Sequence, residues 1–81
     1  MQIRVSFYSY FKDLAGCADY TAVIPDASTL AALRTFILAQ FPRLQQFERS
    51  MLVAVGVDYQ GPDYVLQPGD EVALFPPVQG G

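Results

Sequence analysis

Residues 28–42, STLAALRTFILAQFP, decide the fold. Ser28 or Thr29 can accept a hydrogen bond from the first free amides of a helix, and apolar residues then recur at Leu30, Leu33, Ile37 and Phe41. Spacings of three and four put these side chains on one stripe, which packs against a sheet. Pro42 has no amide hydrogen and cannot continue the helix, so the helix stops near Phe41.

The flanking segments read as strands. In QIRVSFYSY, Ile3, Val5 and Phe7 fall on one side and Gln2, Arg4, Ser6 and Tyr8 on the other. FKDLAG follows as a loop or a single helical turn, with Gly16 free to take a left-handed conformation. DYTAVI is a second strand ended by Pro25 and Asp26, and a hairpin joins the two most simply. After the helix, RLQQFERS fits a loop or a short extra turn, and MLVAVGV has the apolar density of a buried strand. Gly61 and Pro62 mark DYQGPDYVL as turn-rich. A Pro-Gly turn then opens a last strand, Glu71 to Phe75, which Pro76 and Pro77 close to further pairing.

A helix between two strand pairs supplies the long crossover that parallel pairing requires. One main helix on one face of a mixed β-sheet buries both the helical stripe and the inward strand faces. The expected class is α+β, a roll of the β-grasp kind, with residues 1–81 as a single domain and 76–81 as an extended tail.

At 81 residues the chain has room for one domain. A content of 52% hydrophobic and 14% aromatic residues argues against disorder. No run of 18 or more apolar residues occurs, and the N-terminal stretch alternates rather than forming a basic head with an apolar run. A soluble, cytoplasmic protein is expected. Cys17 is the only cysteine, so no intrachain disulfide forms and a reducing compartment fits; it reads as a small loop or core residue. Residues 1–49 carry a net +1, whereas residues 50–81 contain Asp58, Asp63, Asp70 and Glu71 and no Lys or Arg. That acidic half suits a basic protein pocket and disfavours nucleic acid or an anionic membrane as partner.

With no histidine the chain lacks Cys-His and Ser-His nucleophile pairs and the commonest metal ligand. It has neither of the glycine-rich phosphate-binding signatures, and Asp70-Glu71 after a Pro-Gly pair reads as a solvated turn. No bound cofactor and no metal are expected. On its own the chain does not look like a complete catalyst, and its tail reads either as an ordinary frayed end or as a slim tip that a partner takes up. From Pro76 to Gly81 the chain reaches at most roughly 20 Å. Pro76 and Pro77 favour an extended polyproline conformation and lower the entropy lost when the tail enters a partner. Gly80 and Gly81 leave no β-carbons beside a terminal carboxylate, so such a tip fits a narrow channel. A carboxylate is a poor electrophile at neutral pH, and acyl chemistry at Gly81 would need a partner that carries ATP.

IRVSFYSYFKDLAG, STLAALRTFI, VAVGVDY and LQPGDEVALFPPVQGG together resemble the MoaD-like small subunits of molybdopterin synthase, within the ubiquitin-like sulfur carriers that include the ThiS type. The last segment is the most specific, because it joins turn, strand, Pro-Pro and Gly-Gly in one uninterrupted order. The resemblance implies a ubiquitin-like β-grasp fold and a C-terminal glycine that an E1-like (MoeB-like) enzyme adenylates with ATP and that becomes a thiocarboxylate. It further implies that the tail enters a large (MoaE-like) subunit and gives sulfur to cyclic pyranopterin monophosphate, precursor Z. Carried over, Gly81 bears the sulfur, Gly80 is its slim neighbour, and Pro76, Pro77, Val78 and Gln79 line the insertion. The family's apolar partner patch falls on Phe7 and Phe75, with Tyr59 as a third member; each of these aromatics also suits a core position.

The chain departs from the family pattern twice. Ala54-Val55-Gly56 stands where Ala-Val-Asn is common, and Gln79 replaces a small hydroxyl residue. Asn and Gly both tolerate turn conformations, so the first change leaves the fold little affected. Other readings of the same residues are a ThiS-like carrier for thiamine, cysteine or another metabolite, a ubiquitin-like modifier joined to lysines, and a binding module with an inert tail.

Overall fold

β1 (Gln2–Phe7) and β5 (Glu71–Phe75) lie side by side and parallel at the centre of the sheet, in the register Arg4↔Glu71, Val5↔Val72, Ser6↔Ala73 and Phe7↔Leu74. The computed structural model describes residues 1–77. β2 (Asp19–Val23) pairs antiparallel with β1, and β3 (Leu52–Val55) antiparallel with β5. Among the described residues the sheet has five strands in the order β2-β1-β5-β3-β4, with the short β4 (Asp58–Tyr59) at the outer edge. β2 and β3 thus run the same way, and α2 (Leu30–Gln40) carries the chain from one to the other across the two central strands. The mixed sheet with its main helix is the expected α+β arrangement.

The helix begins where its side-chain chemistry allows. Thr29, extended at φ −82° and ψ 164°, accepts a hydrogen bond on Oγ1 from the Ala32 amide at 3.2 Å. The Ser28 hydroxyl donates instead to the Pro25 carbonyl at 2.6 Å, which settles the choice between the two hydroxyls. Leu30, Leu33 and Ile37 are buried as expected, joined by Leu38, and they meet Ile3, Val5, Phe7, Val72 and Leu74 from the sheet. Burying one such side chain is worth roughly 1.5–3 kcal/mol, so this contact holds the two layers together. The Phe41 amide closes the helix on the Ile37 carbonyl at 2.8 Å, one residue before Pro42.

Two ambiguous segments resolve into short helices. FKDLA forms α1 (Phe11–Ala15), ended by Gly16 at φ +80°, whose amide returns to the Lys12 carbonyl. Pro42–Phe47 is a 3-10 helix with the proline at its start, where a missing amide costs nothing. Phe11 and Leu44 are both fully buried, and the two short helices pack on each other at one end of the core.

The fifth strand is a correction to the sequence reading. β4 (Asp58–Tyr59) follows β3 through a two-residue loop, Gly56-Val57, and pairs as Val55↔Asp58 and Ala54↔Tyr59. At two residues β4 is too short to show any periodicity, and the Gly61-Pro62 signals next to it mask it. Gly56 takes φ +62°, the left-handed first loop position that such hairpins use. No helix among the described residues is long and apolar enough to cross a membrane.

The turn conformation makes Gly56 a test of the hairpin. Gly56→Ala should lower stability by about 1 kcal/mol, the cost of a β-carbon in that region, and Gly56→Asn by less. Urea unfolding followed by circular dichroism measures both.

Candidate functional site

The alternation of β1 and β5 sorts their side chains between the two sheet faces. Ile3, Val5, Phe7, Val72 and Leu74 face α2, and Ser6, Ala73 and Phe75 face away. One residue past β1, Tyr8 donates its amide to the Leu74 carbonyl at 3.1 Å and continues the alternation onto the outer face. Its ring stacks on Phe75 with centroids 4.7 Å apart and planes at 15°. Tyr59, brought alongside by the β3-β4 hairpin, meets the same Phe75 ring edge-on at 6.5 Å. Leu52 pairs with Phe75 and Ala54 with Ala73, so the aromatics stand on an aliphatic floor.

Phe7 does not belong to this surface. It is 2% exposed and packs edge-on against Phe41 at 5.1 Å in the core. Assigning it to a partner patch is therefore corrected, because the period of two that points Ile3 and Val5 inward points Phe7 inward as well. The residue the sequence reading missed is Tyr8, 46% exposed. Strand alternation was the signal that could have found it. Phe75 is half-buried beneath Tyr8, and Tyr59 is 68% exposed.

The remainder of the outer face is polar apart from Val23, which is exposed at the far end of β2. Arg4 pairs with Asp19 at 3.4 Å, and the Ser6 hydroxyl donates to the same carboxylate at 3.4 Å. Both partners of the ion pair are largely exposed, so it adds little stability and mainly marks the boundary of the apolar area. The apolar half lies at the end of β5 from which the chain leaves through Pro76 and Pro77, both half-buried. Val78, Gln79, Gly80 and Gly81 lie outside the described residues.

Asp70, read from sequence as part of a solvated turn, has a structural task. Its Oδ2 accepts hydrogen bonds from the Tyr64 hydroxyl at 2.9 Å and the Gln67 amide at 2.8 Å. These bonds tie the turn-rich segment to the start of β5. The hydrogen bond to Asp70, with burial and the carboxylate's charge behind it, raises the Tyr64 phenol above its ordinary value near 10. Cys17 is half-buried and packs against the core, in keeping with a small loop or core residue. Among the described residues no three metal-ligating side chains cluster.

A five-stranded mixed sheet with one main helix across one face defines the ubiquitin-like β-grasp class. The model of the ThiS family matches residues 5–81, and the chain belongs to that family. The molybdopterin synthase sulfur carrier subunit of Escherichia coli is 41% identical over 81 residues, covering 98% of this chain and 99% of that protein. Among solved structures, SAMP1 from Haloferax volcanii superposes with a TM-score of 0.89 at 19% identity, with both chains fully covered. A complex of subunits 1 and 2 of the molybdopterin-converting factor from Helicobacter pylori contains a chain that matches with a TM-score of 0.71 at 23% identity, again with full coverage of both.

The two neighbouring aromatics should respond oppositely to truncation. Phe7→Ala should cost about 3–5 kcal/mol, as for other buried phenylalanines, whereas Tyr8→Ala should leave the melting temperature little changed. Thermal unfolding of the pair tests the assignment. Because the folded Tyr64 pKa is raised, its contribution to stability is fully present below the unfolded value near 10 and is lost as pH rises through the folded value. Spectroscopic titration of the tyrosines should show one late-ionising phenol that moves down in Asp70→Asn.

Proposed function

We propose that this chain is the sulfur carrier subunit of a molybdopterin synthase, working through its Gly80-Gly81 end. The observation that carries the reading is the position of the Tyr8-Phe75-Tyr59 surface at the end of β5 where Pro76 and Pro77 leave the sheet. One partner surface can then hold the aromatic face and receive the tail together. The full-length likeness to the Escherichia coli subunit supports the same reading.

The chemistry divides between chain and partners. An E1-like enzyme binds ATP and brings its α-phosphorus to the Gly81 carboxylate. The carboxylate oxygen attacks, pyrophosphate leaves, and a sulfide-level nucleophile then attacks the acyl carbon of the adenylate and expels AMP, giving the thiocarboxylate. The chain contributes an acyl carbon flanked by no side chains, so the partner's groups can approach it from every side. A MoaE-like large subunit then takes up the thiocarboxylate, its sulfur bonds to precursor Z, and water cleaves the remaining acyl C–S bond to restore the Gly81 carboxylate. Tyr59, Phe75, Pro76, Pro77, Val78 and Gln79, with Tyr8 in place of Phe7, form the surface presented to both partners. The domain is a carrier and not a catalyst by itself, and it operates in the cytoplasm. Its acidic second half favours basic partner surfaces.

Burial of Tyr8 and Tyr59 against a partner removes large aromatic area from water, and such rings often dominate binding energy. Tyr59→Ala should weaken binding to a large subunit by about tenfold or more without unfolding the chain, as read by calorimetry. Intact mass spectrometry of chain incubated with its activating enzyme, ATP and a sulfur donor should reveal oxygen replaced by sulfur at Gly81. Deletion of Gly81 should abolish that product while the circular dichroism spectrum stays unchanged. Persistent absence of the thiocarboxylate, or reductant-resistant adducts on lysines in its place, would overturn the reading.

A further inference from the structure

The β3-β4 edge carries a second surface, on the helix side of the sheet. The ladder between these strands ends with a long bond from the Gln60 amide to the Val53 carbonyl, at 3.4 Å. The chain then turns away at Gly61 and Pro62, and the Pro62 carbonyl accepts from the Ala31 amide at 3.0 Å, at the start of α2. Between α2 and the outer edge of β3 this leaves a groove of about 220 Å³. Ala31 and Arg34 wall it on the helix side, and Val53, Tyr59, Gln60 and Pro62 on the sheet side.

Arg34 is the only charged residue lining the groove. It follows Leu30 by one helical turn, is half-buried, and also borders a small void over Val5, Ile37 and Val72, so its aliphatic stem belongs to the core. Among the described residues the ion pairs engage Arg4 and the Met1 amine, not Arg34. A guanidinium set in an apolar wall is matched best by a carboxylate, which can accept two parallel hydrogen bonds from it. The groove is smaller than the roughly 300–1,000 Å³ of small-molecule sites and suits an anchoring side chain. An extended segment laid along a strand edge turns alternate side chains to the same side, about 6.6 Å apart.

We propose that this groove docks an extended segment of a partner protein, with an aliphatic side chain seated between α2 and β3 and an Asp or Glu two residues along held by Arg34. The inference does not rest on the sulfur-carrier reading, since it uses neither the tail nor the Tyr8-Phe75 stack, and Tyr59 borders both surfaces.

The test is a nitrogen-15 NMR titration of the full chain with the peptide acetyl-Ala-Leu-Ala-Glu-Ala-amide. Saturable shifts are expected at the Ala31, Arg34, Val53 and Gln60 amides. Binding should weaken about tenfold when Gln replaces Glu in the peptide or in Arg34→Gln, whose remaining spectrum reports an intact fold. Absence of saturable shifts at these amides, shifts centred on Tyr8 and Phe75, or equal affinity in Arg34→Gln would overturn the proposal. Octanoate serves as a second probe: if it fills the groove and the peptide does not, the site takes a free carboxylic acid and the proposal is wrong.

Discussion

The parallel pairing of β1 with β5 is the constraint on which the rest of the structure depends. Two parallel neighbours cannot be joined by a tight turn, so after β1 the chain must make a long excursion that crosses the face of the sheet before it returns as β5. The route uses β2 as an edge, α2 as the crossover and β3 as the strand that lies on the far side of β5. The same pairing fixes which side chains are inside. Val5 beside Val72 and Phe7 beside Leu74 meet the helix, and one residue later Tyr8 and Phe75 stack outside. A slip of one residue would exchange the core and the aromatic surface.

Strong periodicity made the main elements legible in the sequence. The stripe Leu30, Leu33 and Ile37, stopped by Pro42, and the alternation of Ile3, Val5 and Phe7 are local patterns that tertiary packing then used without change. The features that were not legible depend on neighbours distant in sequence. Thr29 and Ser28 have the same capping chemistry; the bond of the Ser28 hydroxyl to the Pro25 carbonyl, the bridge from Thr29 to Val65 and the Leu30 amide bond to Tyr64 together leave Thr29 to start the helix. β4 exists because β3 offers it an edge, not because Asp58 and Tyr59 favour a strand.

The candidate site divides along the same line. Phe75 and Tyr59 were named through the family resemblance, yet whether an aromatic beside them is core or surface is decided by strand alternation. Applied to the residues from Gln2 to Tyr8, that rule selects Tyr8 over Phe7. The groove beside Arg34 was invisible because its two walls are contributed by residues about one helix and one strand apart. No local pattern encodes the ending of a ladder at Gln60.

The central position of β5 has a mechanical consequence. Its residues from Val72 to Leu74 are paired with strands on both sides, and Phe75 is paired with Leu52 of β3. A load applied through Pro76 is therefore shared in shear by two ladders at once, whereas the same load on an edge strand would peel one bond after another. A domain built this way can have its end drawn into a tight channel and withdrawn again without beginning to unfold. Tyr8 adds a lateral brace, since sliding β5 along its axis would first have to unstack Phe75.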